Sequence, residues 1–508
     1  MTLRGGQFDT VAIPKRLQFV APPGYRFNNF NIDSQLVNCF AEKDLIDGEY
    51  WVEKRPCFGA QILAPAGSGI NPARGLYRFN LGGFNNFVFL VVNNARLSRI
   101  DGGAAVSTLI GNISGNQTNY AFETVRSTPN RFAVLNDSGP AYYTDSTAVV
   151  DMTALPNFPA NIVRGWAYLD GTLYVMTVNN EIYGSANLDD PTVWDPLNVI
   201  IARNGSDVSV ALSKHKEYVM ALKESSTEFF YNAGNATGSP LSSLRGSKIP
   251  YGCANAYTEQ TIDEENFWVS RSEGGDYKVI RLTNLRPAVI STPSVDRILR
   301  CFNGWSGTGN SLLVRSFQLK LGGHRFYGVS LPVNIFDYVT GATTVTFVTL
   351  VYDLDQNLWY RWTSAASDTA WELAGTAGPD ISRRVLMQNY TTGNIHIVSE
   401  DYIQPTDDTT SPTVDIYTPD HDFGTQRTKE LSAMFFRGNR VPGATLNIRW
   451  SDDDFATWSA FRQASMNEKR PMVTDCGSFF RRAWNIRHQA PVPFRIKTTD
   501  LQLDIGTL

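Results

Sequence analysis

The sequence predicts an all-β protein: a β-propeller of six or seven blades with a small C-terminal β-sandwich-like domain. Three observations carry this. Seven short aromatic–aliphatic strand cores recur along the chain, each followed by a polar turn and a second strand. The spacing of the first five lies in the forties, the period of a unit with two or more strands that needs a neighbour to cover its apolar face. No stretch shows sustained helical periodicity, while 40 Gly and 25 Pro punctuate the chain as many short strands and turns require.

The cores run in order. The first is Phe87-Val-Phe-Leu-Val-Val, with a turn at Asn93-Asn94 and then Leu97-Ser-Arg-Ile. The others begin at Arg131, Thr172, Glu217, Asn266, Arg325 and Arg384. Their second residues, Val88, Phe132, Leu173, Tyr218, Phe267, Phe326 and Val385, are spaced by 44, 41, 45, 49, 59 and 59 positions. The two long intervals predict insertions on one face, with Asn303-Gly-Trp-Ser-Gly-Thr-Gly-Asn and Tyr338-Val-Thr-Gly-Ala-Thr-Thr as candidate contact loops. One unit is legible strand by strand. Trp166-Ala-Tyr-Leu ends at Asp170-Gly171, a hairpin signal because Gly tolerates positive φ, and Thr172 to Val178 and Glu181 to Ser185 follow.

Three segments follow from this. Residues 1–74 are irregular and rich in Pro and Gly, with two short strands expected to close the propeller or contact neighbours. Residues 75–405 hold the propeller. Pro405 to Pro412 forms a polar linker, and 413–508 is expected to be a separate small β domain.

Composition narrows the function. A length of 508 residues predicts more than one domain. Lys and Arg number 45 against 49 Asp and Glu, a net charge of −4, which is not the basic footprint of a tight nucleic-acid binder. The segment from Met1 to Asp9 has no apolar h-region, and no stretch of about 18 apolar residues occurs, so neither a secretory signal nor a membrane span is expected. Five sparse cysteines without CxxC spacing fit reduced, cytosolic synthesis.

The motifs offer little chemistry. Ser451-Asp-Asp-Asp-Phe-Ala-Thr-Trp458 resembles the Asp box of sialidases, with Phe455 at the glycine position. Ser451, Asp453, Thr457 and Trp458 are therefore expected to build a structural turn; a glycan-binding or glycan-cleaving propeller is the functional alternative. Asp353-Leu-Asp355-Gln-Asn357 begins like an EF-hand but has Leu358 and Ser364 where Gly and Glu belong. The five histidines lie outside metal-ligand spacing, and no phosphate-binding or nucleophile-elbow signature is present. No catalytic residue, metal or cofactor is predicted. Arg481, Arg482, Arg487, His488, Arg495 and Lys497 make the last segment locally basic. They form either solvated strand faces or, through the four arginines and Lys497, a contact with a neighbouring subunit or DNA.

Three stretches carry a family likeness. Val37-Asn-Cys-Phe-Ala-Glu leads into Glu53-Lys-Arg-Pro-Cys-Phe-Gly; Glu217 to Gly234 contains Ser-Ser-Thr-Glu-Phe-Phe; Pro250-Tyr-Gly-Cys-Ala-Asn runs through to Ser294-Val-Asp-Arg-Ile-Leu. Together with the pattern from Phe480 to Lys497, they resemble the packaged-DNA stabilisation protein, or tail hub and nozzle, of short-tailed bacteriophages. Cys57 departs from the usual glycine, and the C-terminal domain is richer in Trp. The resemblance implies a virion tail protein made in the host bacterial cytoplasm. It implies a homohexameric ring below the portal and adaptor ring that retains packaged DNA, guides its ejection without sequence preference, and carries tail fibres, spikes or a needle. A conduit should let DNA slide, so a neutral to acidic lumen is expected.

Overall fold

The computed structural model describes residues 15–506 apart from 18, 22, 25–32, 60, 64–71, 84–85, 102–106, 115–118, 129–130, 303–312, 337–340, 365–369 and 399–410. The loop expected at 303–310, most of the linker at 405–412 and the start of the loop at 338 lie outside the described residues. The chain divides into two compact units: Phe58–Asn357 with Asp368–Tyr402, and Met1–Cys57 with Leu358–Ser367 and Ile403–Leu508.

The first unit is the propeller. It has six four-stranded antiparallel blades, and an antiparallel meander of longer strands, Arg315–Leu321, His324–Phe336 and Thr343–Asp353, stands in series with them. The seven apolar cores are the second strands of these seven modules, for example Phe87–Asn93, Thr172–Met176 and Tyr218–Lys223. The middle of each such strand is mainly apolar because both of its faces are covered. Val88, Leu90 and Val92 pack against Ala133, Leu135 and Tyr142 of the next blade, while Phe89 and Val91 pack against Leu386 and Ile395 of the last. Burial of one such side chain contributes about 1.5–3 kcal/mol, so a blade alone is unstable and the series is cooperative.

Turn chemistry follows the sequence. Asp170 and Gly171 adopt φ of 50° and 83°, the paired positive values of a type I′ hairpin. The long interval after Phe267 holds the helix Pro293–Arg300, started by a Thr292 side chain that accepts from the Val295 amide. The last blade is completed from far away: Gln61–Leu63 pairs antiparallel with Ile395–Val398, so an N-terminal strand closes the ring of blades.

The second unit differs from the self-contained domain expected at 413–508. One sheet orders Cys39–Lys43, Tyr50–Lys54, Arg495–Ile505, Lys429–Gly438 and Met472–Thr474. A second sheet carries Leu358–Trp362, Gln35–Val37, Val414–Tyr417, Ala483–His488, Thr445–Ser451 and Arg462–Ser465. The N-terminal strands and the 358–362 strand are thus sheet members beside the C-terminal ones, and the boundaries at 74 and 413 do not follow these pairings. The two sheets share a core: the Trp362 indole donates to the Cys39 carbonyl at 3.2 Å, and the Tyr360 hydroxyl accepts from the Ala41 amide at 3.0 Å.

Candidate functional site

Every module contributes its first strand to the propeller axis. Residues 75–77, 119–123, 164–166, 212–214, 259–261, 316–318 and 374–376 line one axial funnel of about 500 Å³. Close approach of these strands needs small residues. Gly165 adopts φ of 107°, and a Cβ placed there would sit 1.9 Å from the Leu212 carbonyl oxygen. That proximity lets the Leu212 amide donate to the Arg164 carbonyl at 3.0 Å and stitch two inner strands together.

The funnel has a floor. Arg164 donates to the Asn119 carbonyl at 3.0 Å and to the Ala256 carbonyl at 2.9 Å. Ala256–Thr258 is a short 3₁₀ turn whose Tyr257 amide donates to the Asn255 side chain. The Tyr257 hydroxyl donates to the Asp137 carboxylate at 2.6 Å, and the Ser316 hydroxyl donates to the Tyr257 carbonyl at 2.6 Å. Asn119 and Asp137 belong to the second blade, Tyr257 to the fifth. Those blades are not neighbours in the ring, so these bonds cross the axis and stop it.

Electrostatically the funnel is balanced. Glu123, Glu259 and Glu264 face Lys214, Lys216 and Arg164. Burial pushes the Glu123 carboxyl above the usual range, and it does the same to Asp137 against the Tyr257 hydrogen bond. Glu259 accepts from Ser213 at 2.7 Å and Asn266 at 3.1 Å, so it is held as part of the wall. Among the described residues, no three His, Cys, Asp or Glu side chains converge as metal ligands.

The basic segment at the C-terminus is compensated. Arg482 is 1% exposed, pairs with Asp452 at 2.6 and 2.8 Å and lies 4.3 Å from the Phe479 ring centre. Arg487 pairs with Asp415 at 2.8 Å, and Arg495 with Glu53 at 2.6 Å and Glu42 at 3.2 Å. Lys497 sits between Asp44 at 2.6 Å and Asp47 at 2.5 Å, and its hydrogen bond holds the Asp44 carboxyl down at about 2. Arg481, half-exposed, reaches Asp420 at 3.3 Å. These five residues therefore belong to intramolecular pairs and form no open cationic patch.

At the Asp-box-like turn, the Ser451 hydroxyl donates to Asp453 at 2.8 Å and accepts from the Phe455 amide at 2.9 Å. Asp453 also accepts from the Thr457 amide at 2.9 Å. Phe455 takes φ of 68°, the conformation a glycine would supply, and Trp458 packs edge-on to Phe455 and Tyr417. Ser451, Asp453 and Thr457 spend their side chains on the turn itself, while Asp452 pairs with Arg482. Asp353 likewise organises a turn, accepting from the Asp355 and Gln356 amides, and pairs with His324 at 2.7 Å. Cys39, Cys57, Cys253 and Cys476 are buried and Cys301 is half-buried; none is in a disulfide.

Sequence reasoning missed a buried charge cluster. Lys223, with no exposed side-chain surface, lies 2.5 Å from Glu228 and 3.1 Å from Asp207. The signal was a lysine ending the apolar strand Tyr218–Lys223. It also missed the funnel floor, whose residues lie in connections between strands.

A family model described as bacteriophage P22 Gp10, β-propeller, matches residues 68–371. No curated protein sequence matches the chain. Among solved structures, virginiamycin B lyase from Staphylococcus aureus is similar at 10% identity, with a TM-score of 0.40 over 66% of this chain and 97% of that one. BamB from Moraxella catarrhalis is similar at 11% identity, with a TM-score of 0.31 over 69% of this chain and 99% of that one. At these scores neither likeness bears on activity.

Proposed function

The chain belongs to the family of the bacteriophage P22 Gp10 β-propeller, phage structural proteins that stabilise packaged DNA, and from that premise we propose that it is the nozzle, or hub, of a phage tail. Copies of the chain, six in this reading, form a ring that continues the DNA channel below the portal and adaptor. The ring retains packaged DNA and guides its ejection, and fibres, spikes or a needle attach to it. The observation that carries the reading is the stopped axis. Arg164, Tyr257 and Asp137 bar the propeller's own bore, so DNA must pass along a bore between copies. The charge pattern supports sliding: the net charge is −4, and Arg482, Arg487, Arg495 and Lys497 are each engaged by carboxylates. A wall of unpaired cations would release counterions and grip the phosphates.

The glycan alternative has less behind it. The Asp-box-like turn is single, lies outside the propeller unit, spends Ser451 and Asp453 on its own backbone and pairs Asp452 with Arg482. Light-scattering mass of the purified chain, alone and with the cognate adaptor ring, tests the nozzle reading alongside a glycan screen. A ring on its own or on the adaptor is expected, with no sugar turnover. A chain that stays monomeric in both settings, or that hydrolyses a glycan, would overturn it. Electrostatic mapping of the assembled bore should give a neutral to acidic lumen.

A further inference from the structure

A ring built from identical copies needs two different surfaces that fit one another, because head-to-tail contact is heterologous. The chain presents one candidate of each sign. In the second unit, a groove of about 820 Å³ has an apolar floor that includes Phe435, Met466 and Leu501. Its rim carries Arg437, Arg440, Lys469 and Arg470, none with an acidic partner among the described residues. Arg470 stacks 3.9 Å from the Phe435 ring centre, and Arg440 donates to the Asn467 carbonyl. Of the rim carboxylates, Asp47 is engaged by Lys497 and Asp500 by Arg16, leaving Glu468, so the groove is net positive. This is the reverse of the neighbouring basic segment, where each cation is matched.

In the propeller unit, the connection 186–193 of the third blade and the outer strand that follows it are acidic and apolar. Leu188, Val193 and Leu197 are 71%, 42% and 74% exposed. Asp189, Asp190 and Asp195 alternate with them and have no cationic partner among the described residues. The strand Trp194–Ile201 is paired on one side only. Its lead-in is held rigid: Asp190 accepts from the Thr192 amide and Asp195 from the Leu197 amide, each at 2.9 Å. Pro191 and Pro196 argue against strand addition at this edge, so contact would run through side chains. Three large apolar side chains are exposed within ten residues, a clustering that marks interaction surfaces.

We propose that the cationic, apolar groove of one copy docks the acidic, apolar third-blade edge of a second copy. The inference deepens the ring reading and rests on it for the identity of the occupant. Duplex DNA is the competing occupant of a cationic groove, but the apolar floor does nothing for phosphates.

Two double variants of the full chain test this: Arg437→Glu with Arg470→Glu in the groove, and Leu188→Ser with Leu197→Ser at the edge. All four positions are exposed, and circular dichroism checks that the fold is kept. In sedimentation equilibrium the wild type should self-associate, more weakly as salt rises. Each double variant should weaken association about ten-fold or more. Mixing the two variants leaves one intact groove facing one intact edge, so the mixture should form dimers and stop there. A wild type that assembles while both variants assemble equally well overturns the contact and leaves the ring reading standing. A wild type that stays monomeric at its solubility limit overturns the contact, and the ring reading is then judged on the adaptor. DNA binding lost in the groove variant with no change in mass also overturns the contact.

Discussion

Replacing Lys223 by Met isolates the energetic weight of the buried charge cluster in the fourth blade. The ammonium has no exposed surface and lies 2.5 Å from Glu228, which is itself 1% exposed, and 3.1 Å from Asp207. It also donates to the Gly205 carbonyl at 3.2 Å. Met fills a similar volume, so packing is nearly conserved and the change is electrostatic. At an effective dielectric of about 20, one charge pair at such a distance attracts by roughly 6 kcal/mol, and desolvation of both groups offsets part of this. Removing the cation leaves a buried Glu228 with the Asn204 amide at 3.1 Å as a remaining donor. The expected loss is about 3–5 kcal/mol. Thermal unfolding of a unit of this size should then shift down by roughly 4–7 °C. Tryptophan fluorescence in urea gives the free energy directly. Adding Glu228→Gln to Lys223→Met removes the orphaned charge and should recover at least half of the loss. A loss under about 1 kcal/mol for the single variant, or a double variant no more stable than the single, would refute the reasoning.

Four further outcomes are expected. Gly165→Ala places a Cβ 1.9 Å from the Leu212 carbonyl in a backbone conformation that disfavours side chains; unfolding should show a loss of about 3 kcal/mol or more, and a loss below about 1 would count against the inner-strand stitching. Asp453→Ala removes the acceptor for Thr457 and Ser451, and should cost about 1–2 kcal/mol by urea denaturation while leaving any glycan screen unchanged. Burial pushes the Cys253 thiol up to about 12 and Cys39 well up as well, so a thiol reagent at neutral pH should modify Cys301 first, as read by peptide mass spectrometry. The Asp207 carboxyl is held at about 2: burial alone would raise it, but the Ser225 amide, Lys223 and Ser226 outweigh burial. A depressed carboxylate contributes stability above its unfolded value near 3.8, and that contribution fades as pH falls through about 2. Asp207→Asn should therefore flatten the acid limb of the stability curve.

Much of the propeller was legible because one strand per module has both faces covered. Phe87 to Val92 or Leu173 to Met176 reads as an unbroken apolar run for that reason. The axial strands left no such trace: they mix Gly, Ser, Thr and charge, as at Arg164-Gly165 and Ser213-Lys214, since one face meets the polar funnel. The second unit was legible as strands but not as a partnership. Alternation identifies a strand without naming its neighbour, and Val52 and Glu53 pair with Ile496 and Arg495 across more than four hundred residues. The same distance explains the basic segment. Arg487 and Arg495 meet acids 72 and 453 positions away, so the charge looked unmatched along the chain and is matched in space.

The strand Gln61–Leu63 has a temporal consequence. It leaves the ribosome more than three hundred residues before Ile395, its partner, which at about 5–20 residues per second means tens of seconds. Until the last blade is made, Phe89 and Val91 of the first blade lack the cover that Leu386 and Ile395 supply. Latching therefore depends on translation reaching the last blade: a product truncated before residue 395 has every earlier blade and yet lacks the pairing that completes the last one.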